Sequence, residues 1–386
     1  MFFFRKTSGK TILMIEIQSS LVRASLVWFR PDKHPYILYD GSRYVPHGHK
    51  AGNDRLVAGV LEAITESLDE AKRYYSSIKN AGTFDHIPRH ISETHFILSS
   101  PWMISRARTV SVAFEHPTKI TRRYVEGLLA AERRKIDPDE THDHNVSIIE
   151  EKILEVRLNG YPISDWKDRE AARLDLSYAV TAGGETIDRF RRACSRISWR
   201  DSIYFHSSLL LEYAGISAMK PGERSYFIVN VHGKMTDMAS IKEGVCVFFG
   251  SFPIGVRTII KDVSSAMKTD MGTAESAISL YIGEKFDEAH SGSIAEAVGK
   301  ASSAWIREYA KMATEAGYSN GLPMKAMIYA KDHEDLFVEA IRRSYPTENP
   351  TVLSMDDVAE KVSFDPHAEQ LRMVGLYATA IGSLTM

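Results

Sequence analysis

Two short polar turns, about half a chain apart, carry residue types that can bind phosphate. The candidate residues are Glu16, Ser19 and Ser20 in the first turn and Gly233, Lys234, Thr236 and Asp237 in the second. Hydroxyl and backbone N–H groups donate hydrogen bonds to phosphate oxygens, a lysine supplies positive charge, and a carboxylate can hold Mg²⁺. Two such turns that face one cleft are expected to grip the phosphates of a nucleotide.

The elements that would position these turns form a strand–turn–strand pattern that occurs twice. Residues 11–28 read TILMIEIQSSLVRASLVW, and residues 226–249 read YFIVNVHGKMTDMASIKEGVCVFF. In each segment an apolar β-branched strand ends in one polar residue, Glu16 or Asn230, and resumes as a strand after a short turn. This repetition predicts a duplicated fold in which one turn from each half faces a common cleft.

The rest of the chain alternates between strands and helices, which predicts an α/β core. Residues 54–75 place apolar side chains on one face of a helix, and residues 293–316 repeat that spacing in the second half. Residues 93–183 have a different order, with expected strands at 94–99, 109–114, 146–158 and 174–180 around a helix at 121–136. This order predicts an inserted α+β unit of about 90 residues. Because the unit carries no catalytic constellation, we expect it to be a docking or assembly surface.

The composition is that of a globular protein, which argues against membrane-spanning and disordered classes. The chain has 386 residues, of which 44% are hydrophobic and 25% are charged, and its formal net charge is −2. Without a strong positive field, nucleic-acid binding is not expected. No apolar run reaches the roughly 18 residues that a membrane-spanning helix needs. Because the N-terminus does not have the pattern of a signal peptide, a cytoplasmic location is expected.

Other residues and segments that could bind a metal, a membrane or a partner have simpler interpretations. Cys194 and Cys246 are far apart and predict neither a disulfide nor a zinc site. The histidines at positions 47, 49, 142 and 144 lie in polar loops without a third ligand nearby, so no metal site and no catalytic residue is assigned. The tip at residues 2–6 could touch a membrane surface, although a disordered leader is the preferred interpretation. Residues 148–156 are expected to form an internal strand, with an edge strand that pairs with a partner as the alternative.

Five segments, in order along the chain, carry a resemblance to a known family. Residues 16–24 read EIQSSLVRA and residues 230–237 read NVHGKMTD; these look like two phosphate loops. Downstream follow FPIGV at residues 252–256, the pair Ala274-Glu275, and YATAIGSL at residues 377–384. Together they resemble bacterial actin-like proteins of the FtsA and PilM type, and the resemblance spans nearly the whole chain.

The resemblance implies an α/β fold, namely a duplicated actin-like (ribonuclease H-like) ATPase fold with an inserted α+β (SHS2-like) subdomain. The expected boundaries are 1–92 and 184–222 for the first half, 93–183 for the insertion, 223–258 and 320–386 for the second half, and 259–319 for a helical subdomain. It also implies a place at the inner face of the cell membrane, in cell division or type IV pilus assembly. The implied partners are cytoplasmic tails of membrane proteins, together with self-association into filaments or dimers and peripheral association with the membrane.

The resemblance assigns a nucleotide site, and this sequence departs from the family pattern there. The cofactor would be ATP with Mg²⁺, and the residues implied to bind it are Glu16, Ser19, Ser20, Gly233, Lys234, Thr236, Asp237, Gly255 and Glu275. Gln18, His232 and Lys234 stand where glycines would let backbone N–H groups approach phosphate. Asn230 replaces a carboxylate that would hold Mg²⁺ through waters. On the adenosine side, Ala330 and Lys331 replace a pair of glycines.

Two functions from different classes follow. We expect a non-enzymatic actin-like scaffold with weak or lost ATPase activity. The alternative is an ATP-binding, polymerising actin-like ATPase in which Lys234 contacts a phosphate as a point charge. Nucleotide binding without turnover lies between the two. The expected cofactor is accordingly either none or ATP with Mg²⁺.

Overall fold

The computed structural model of the protein describes residues 9–45, 53–135, 147–195, 202–283, 288–318, 325–346, 349–364 and 371–385. The tip at residues 2–6 and the histidines at positions 47, 49, 142 and 144 lie outside the described residues, as does the side chain of Cys194. Cys246 is a buried free thiol. Within the described ranges, no helix is both long and apolar enough to span a membrane.

The first part of the chain forms three antiparallel strands, a long helix and a parallel strand. Their bounds are β1 (Lys10–Ile17), β2 (Leu21–Phe29), β3 (Tyr36–Tyr44), α1 (Asn53–Asn80) and β4 (Ile91–Leu98). Strands β1 and β2 are buried along nearly their whole length, which accounts for their almost uninterrupted apolar sequence. Helix α1 packs Val57, Val60 and Ile64 against this sheet, as its apolar spacing predicts.

An inserted α+β unit follows β4. Its elements are β5 (Ile104–Ile120), α2 (Arg122–Arg133), β6 (Ser147–Leu158), β7 (Tyr161–Pro162) and β8 (Arg169–Gly183). The strands are antiparallel in the order β5-β8-β6-β7, and α2 packs on this sheet through Val125 and Leu129. Thr121 caps α2, because its hydroxyl accepts a hydrogen bond of 3.1 Å from the backbone N–H of Tyr124.

The insertion begins later in the chain than its pattern suggests. Residues 94–99 were expected to open it, but most of this segment lies in β4, which pairs in parallel with β1. The expected boundary at residue 93 therefore falls inside the first sheet, and the sheet of the insertion begins at Ile104. A local apolar pattern does not show which distant strand is the parallel partner, since such partners are joined by long connections.

Strand β6 lies at an open edge over most of its length. It pairs with β8 on one side, but on the other it pairs with β7 only at Arg157 and Leu158. The expectation of an internal strand at residues 148–156 is therefore wrong for the described part of this sheet. Strand β6 is apolar for a different reason than burial inside a sheet. Ile149 packs on the core of the first half, and Ile153 packs on the core of the insertion.

After the insertion the chain returns to the first sheet. The elements are α3 (Glu185–Ser195), β9 (Ser202–Ser207) and α4 (Ser208–Met219). Strand β9 pairs in parallel with β4 and completes a sheet with the order β3-β2-β1-β4-β9. Helix α4 reads SLLLEYAGISAM and is apolar on nearly all sides, as expected for a helix buried between two layers.

The second half repeats this plan. Its elements are β10 (Tyr226–Val231), β11 (Thr236–Lys242), β12 (Val245–Phe252), α5 (Val256–Met267), α6 (Met271–Ile282), α7 (Glu288–Glu315), β13 (Lys325–Ala330), α8 (Glu334–Ser344), β14 (Thr351–Val352), α9 (Met355–Ala359) and α10 (Arg372–Thr385). The sheet order is β12-β11-β10-β13-β14, with three antiparallel strands followed by two parallel ones, as in the first half. The predicted duplication is confirmed.

The two halves meet on a pair of closely packed helices. Helices α4 and α10 lie in one apolar core that also includes Ile12 and Met14 from the first sheet and Ile228 from the second. The helices touch at Gly215, where a Cβ would lie 2.6 Å from Leu376 Cδ1 and 2.7 Å from the Leu376 carbonyl oxygen. The close approach of the halves therefore requires a glycine at this position.

Replacing Gly215 by alanine should weaken the joint between the halves. We expect Gly215→Ala to lower the free energy of unfolding by about 1–3 kcal/mol, because the methyl group meets a backbone carbonyl that cannot move freely. The matched control is Gly127→Ala on α2, where no atom lies within 4 Å of the added Cβ. That change should raise stability by about 0.5–1 kcal/mol. Urea denaturation measures both, and equal effects would contradict the packing described.

Candidate functional site

The two polar turns face each other and are in direct contact. The first joins β1 to β2 and the second joins β10 to β11, so they occupy equivalent places in the two sheets. The backbone N–H of Lys234 donates a hydrogen bond of 3.3 Å to Ser19 Oγ. A Cβ at Gly233 would lie only 1.8 Å from Ser20 Oγ. The side chains of Ser19 and Ser20 are buried in this contact.

Each turn closes on itself with the same hydrogen bond. The backbone N–H of Gln18 donates to the carbonyl of Leu21 at 2.9 Å, and that of His232 donates to the carbonyl of Met235 at 2.9 Å. The Gln18 side chain turns back and donates from Nε2 to Glu16 Oε1 at 2.7 Å. The glycine-replacing side chain thus binds the carboxylate of its own strand.

A buried arginine neutralises the first turn. Arg23 on β2 is 2% exposed, and its Nη1 lies 3.6 Å from Glu16 Oε2, while its Nε lies 3.8 Å from Asp40 Oδ1. Burial alone would lower the pKa of Arg23, but Tyr329, Glu16 and Asp40 raise it above its ordinary value. Tyr329 lies on β13 and is close enough to raise the pKa of Arg23, so this cluster joins the first half to the second.

A second cluster surrounds Glu212, which lies on α4 and is 1% exposed. Asn230 Nδ2 donates to Glu212 Oε1 at 2.6 Å, and the Tyr377 hydroxyl lies 3.2 Å from the same oxygen and 3.4 Å from Glu16 Oε1. Burial raises the pKa of Glu212 to about 7. Sequence reasoning did not select this residue, although a lone carboxylate in an otherwise apolar helix was an available signal.

The second turn has a buried histidine as its internal partner. His232 Nε2 lies 3.0 Å from Asp237 Oδ2, and the same oxygen accepts a hydrogen bond of 3.0 Å from the backbone N–H of Ser100. Burial alone would lower the pKa of His232, but the hydrogen bond and charge of Asp237 raise it above its ordinary value. Because Ser100 belongs to the first half, Asp237 also bridges the halves.

The other expected binding residues lie close by with structural contacts of their own. The Thr236 hydroxyl donates to the carbonyl of Ile254 at 2.6 Å and accepts from Trp305 Nε1 at 2.9 Å. A Cβ at Gly255 would lie 2.3 Å from the carbonyl oxygen of His232, so the chain passes directly behind the second turn. Glu275, on α6, is half exposed and lies across a small cavity from the turns.

That cavity is what remains of a cleft between the halves. It has a volume of about 170 Å³ and is lined by side chains that include Ser20, Arg257 and Glu275. Two hydrogen bonds between the halves lie beside it. Lys331 Nζ donates to Ser42 Oγ at 3.0 Å, and the Tyr44 hydroxyl lies 3.0 Å from Asp332 Oδ2.

The residues present do not fit ATP with Mg²⁺ in this arrangement. Pockets for small ligands usually occupy about 300–1,000 Å³, which exceeds this cavity, and the turns that would hold the phosphates touch each other. Mg²⁺ favours carboxylate oxygens in near-octahedral geometry. Glu16 instead binds Gln18 and Arg23, and the part of the chain that the structure describes contains no group of three or more His, Cys, Asp or Glu placed to hold a metal ion.

Comparisons with known proteins identify the fold. A scan of protein-family models and a search of curated proteins found no match. Among solved structures, a PilM–PilN type IV pilus biogenesis complex matches with a TM-score of 0.61 and 16% identity over 96% of both chains. MreB 5 of Spiroplasma citri bound to AMPPNP matches with a TM-score of 0.46 and 11% identity over 97% of this chain and 96% of that one. EutJ from Carboxydothermus hydrogenoformans matches with a TM-score of 0.45 and 10% identity over 96% and 90%.

The likeness to the PilM-containing structure, together with the repeated sheet order, shows that the chain has a duplicated actin-like α/β fold. At 16% identity the likeness shows the fold alone. The fold that the sequence resemblance implied is confirmed.

The buried Glu212 should make stability depend on pH with a definite sign. Its pKa is raised in the folded state, from 4.5 to about 7. Its contribution is therefore fully present below pH 4.5 and is lost as the pH rises through about 7. We expect the free energy of unfolding of the wild type to fall by roughly 2 kcal/mol relative to Glu212→Gln between pH 5 and pH 8, because glutamine stays neutral.

Chemical denaturation of both proteins over this range measures the difference. Glu62→Gln, on the exposed side of α1, is the matched control and should parallel the wild type. The raised pKa of Glu212 would be contradicted by either of two results. The difference in free energy of unfolding between the wild type and Glu212→Gln could stay constant with pH, or the wild type could gain stability relative to the variant as the pH rises.

Proposed function

We propose that this chain is a non-enzymatic actin-like scaffold that acts at the cytoplasmic face of the inner membrane by binding short cytoplasmic tails of membrane proteins. The observation that carries the proposal is the direct contact between the two turns. In a scaffold of this kind the fold is retained for its surfaces, and the cleft need not hold a nucleotide. ATPase activity would be weak or lost.

Side chains of the protein perform the bridging that a ligand in the cleft would otherwise provide. The contacts that join the halves around the turns include Ser19 with Lys234, Ser100 with Asp237, and Tyr44 with Asp332. Arg23 also supplies one positive charge between the carboxylates of Glu16 and Asp40. A closed arrangement held by contacts of this kind does not depend on ligand concentration, whereas a ligand-held arrangement would.

The shared fold supports a setting in type IV pilus assembly. The solved PilM is part of a complex with PilN in type IV pilus biogenesis, and it matches this chain along nearly its whole length. A cell-division setting, which the sequence resemblance also implied, is the alternative. We infer that the partner is a membrane-protein tail in either case, with self-association into filaments or dimers as a further step.

The insertion is the surface that we assign to the partner. It carries β6, which pairs with no described strand on one side at residues 148–156 although Glu150 contacts Ser207 of β9, and an edge strand can bind an extended peptide through its backbone N–H and C=O groups. It also has its own apolar core. These features suit a docking unit built onto the actin-like body.

The alternative function, an ATP-binding and polymerising ATPase, has one feature in its favour. Arg257 and Lys331 line the remaining cavity, and cationic side chains attract phosphate. For this alternative to hold, the turns must separate so that the hydrogen bond between Lys234 and Ser19 breaks. Capture of tail peptides tests the scaffold through its partner rather than through nucleotide.

Synthetic tail peptides from pilus and division membrane proteins of the same genome should be tested for capture by the purified full-length chain. We expect one pilus tail to bind saturably and independently of added ATP and Mg²⁺. Binding should be lost when residues 104–182 are replaced by a short flexible Gly-Ser linker. This replacement is feasible because Ile104 and Ala182 are paired neighbours on β5 and β8.

The shortened chain must first show an intact actin-like body by circular dichroism and cooperative thermal unfolding. Unchanged capture by that folded variant would rule out the insertion as the docking surface. Capture that requires ATP would favour the ATPase, and capture of a division tail alone would move the setting to cell division.

A further inference from the structure

Strand β6 of the insertion contains two β-bulges. The residues on either side of Ile149 have consecutive partners on β8, so Ile149 itself has no partner in the ladder. The same is true of Leu154, which is a second extra residue in β6. A bulge of this kind inserts one residue into one strand of an antiparallel pair and re-aims the side chains beside it.

The bulges decide which face of β6 each side chain takes. In a regular strand, side chains on one face are separated by an even number of positions. The side chains of β6 that pack on the core of the insertion are instead separated first by five positions and then by three, and each odd interval contains one bulge. Each bulge therefore turns an additional side chain towards the actin-like body. The side chains on the insertion's own core are Ile148, Ile153, Val156 and Leu158.

The first bulge fastens β6 to the first half of the protein. Ile149 packs on the core of that half. The next residue, Glu150, accepts a hydrogen bond of 2.8 Å from the backbone N–H of Ser207, where β9 passes into α4. A hydrogen bond from a backbone N–H to a carboxylate is charge-assisted and is stronger than a neutral one. This end of β6 is thus attached to β9.

The second bulge fastens β6 to the core between the halves. Leu154 packs on the apolar core that holds α4 and α10 together, and this core includes Cys246 and Phe249 of β12 in the second half. Further along β6, Arg157 Nη2 lies 4.0 Å from Glu243 Oε2, in the turn that joins β11 to β12. Because exposed ion pairs contribute little, Leu154 is the main anchor at this end.

Strand β6 therefore spans the joint between the two halves. Its Cα atoms approach within 8 Å of those of β9 in the first half and of those of β12 in the second. The two bulged residues are five positions apart, which corresponds to about 17 Å along a strand. Between them, residues 150–153 pair regularly with β8, so this stretch cannot change its length appreciably.

Both attachment points are connected to the polar turns through paired strands. In the second half, β12 pairs with β11, which begins directly after the second turn. In the first half, β9 pairs with β4 and β4 pairs with β1, which ends at the first turn. A separation of the turns that shifts β12 relative to β9 must therefore bend β6 or detach one of its two anchors.

We propose that β6 couples the insertion to the cleft. Packing of the insertion on both halves favours contact between the turns, and separation of the turns loosens β6. Coupling between two sites is reciprocal, so a change imposed at either one appears at the other. As regulation of tail binding, the coupling rests on the proposed function, since a peptide paired with β6 would act on the strand that spans the joint. The coupling itself is measured in the protein without a partner.

Hydrogen exchange of full-length Leu154→Ala tests the coupling from the insertion towards the cleft. This change removes most of the second anchor and leaves the first in place. We expect the amides of Gln18 and His232, whose hydrogen bonds close the two turns, to lose protection by about fivefold, the lower end of typical couplings. The fall should exceed any fall at α1, which reports a general loss of stability.

The matched control for this direction is Leu128→Ala on α2. Leu128 is also a partly buried leucine of the insertion, but it packs on the insertion's own core. The control should therefore loosen the insertion internally without lowering the protection of the two turn amides.

Gly233→Ala tests the opposite direction, because the added Cβ would lie 1.8 Å from Ser20 Oγ and force the turns apart. We expect residues 149–155 to lose protection by about fivefold. The control is Gly299→Ala on α7, where no atom lies within 4 Å of the added Cβ, and it should have no such effect.

The proposal is overturned if Leu154→Ala does not lower the protection of the Gln18 and His232 amides more than that of α1, or if Leu128→Ala lowers it equally. It is also overturned if folded Gly233→Ala leaves residues 149–155 unchanged. If Gly233→Ala does not fold, the two leucine variants decide the outcome. Failure of every tail peptide to bind would count against the proposed function and would leave the coupling intact.

Discussion

The cleft of this protein is organised by the direct contact between two turns that come from different halves of the chain. Gly233 approaches Ser20 so closely that no side chain could stand between them, and Lys234 donates to Ser19 across the joint. Once the turns touch, water is excluded from the polar ends of β1 and β10. Each charged group there must then find a partner inside the protein, because an unpaired buried charge is costly.

The internal partners account for the departures from a phosphate-binding pattern. Gln18 and His232, which stand at glycine positions, bind Glu16 and Asp237 respectively. Arg23 supplies positive charge beside Glu16. Breaking a buried pair of this kind typically costs about 3–5 kcal/mol, so these substitutions support one another and a single change back would not restore an open cleft. The two halves are thereby held together at the turns.

The sequence was sufficient for the parts of the fold that local pattern controls. The repeated strand–turn–strand and the apolar faces of α1 and α7 were readable from spacing. Contacts between distant segments were not. The pairing of β4 with β1, the approach of Ser19 to Lys234, and the contact of Glu150 with Ser207 depend on how separate elements pack. Glu212 was not predicted because the partners of its carboxylate, Asn230 and Tyr377, lie far along the chain. Its position as a lone carboxylate in an apolar helix was the available signal.

Titration of the purified protein with a fluorescent ATP analogue and Mg²⁺, followed by an assay for released phosphate, tests the closed cleft most directly. The contact between Ser19 and Lys234 and the cavity of about 170 Å³ predict no saturable binding at millimolar nucleotide and no phosphate release. Saturable binding in the micromolar range with phosphate release would contradict the account, because it would require the turns to separate and the cleft to admit a nucleotide.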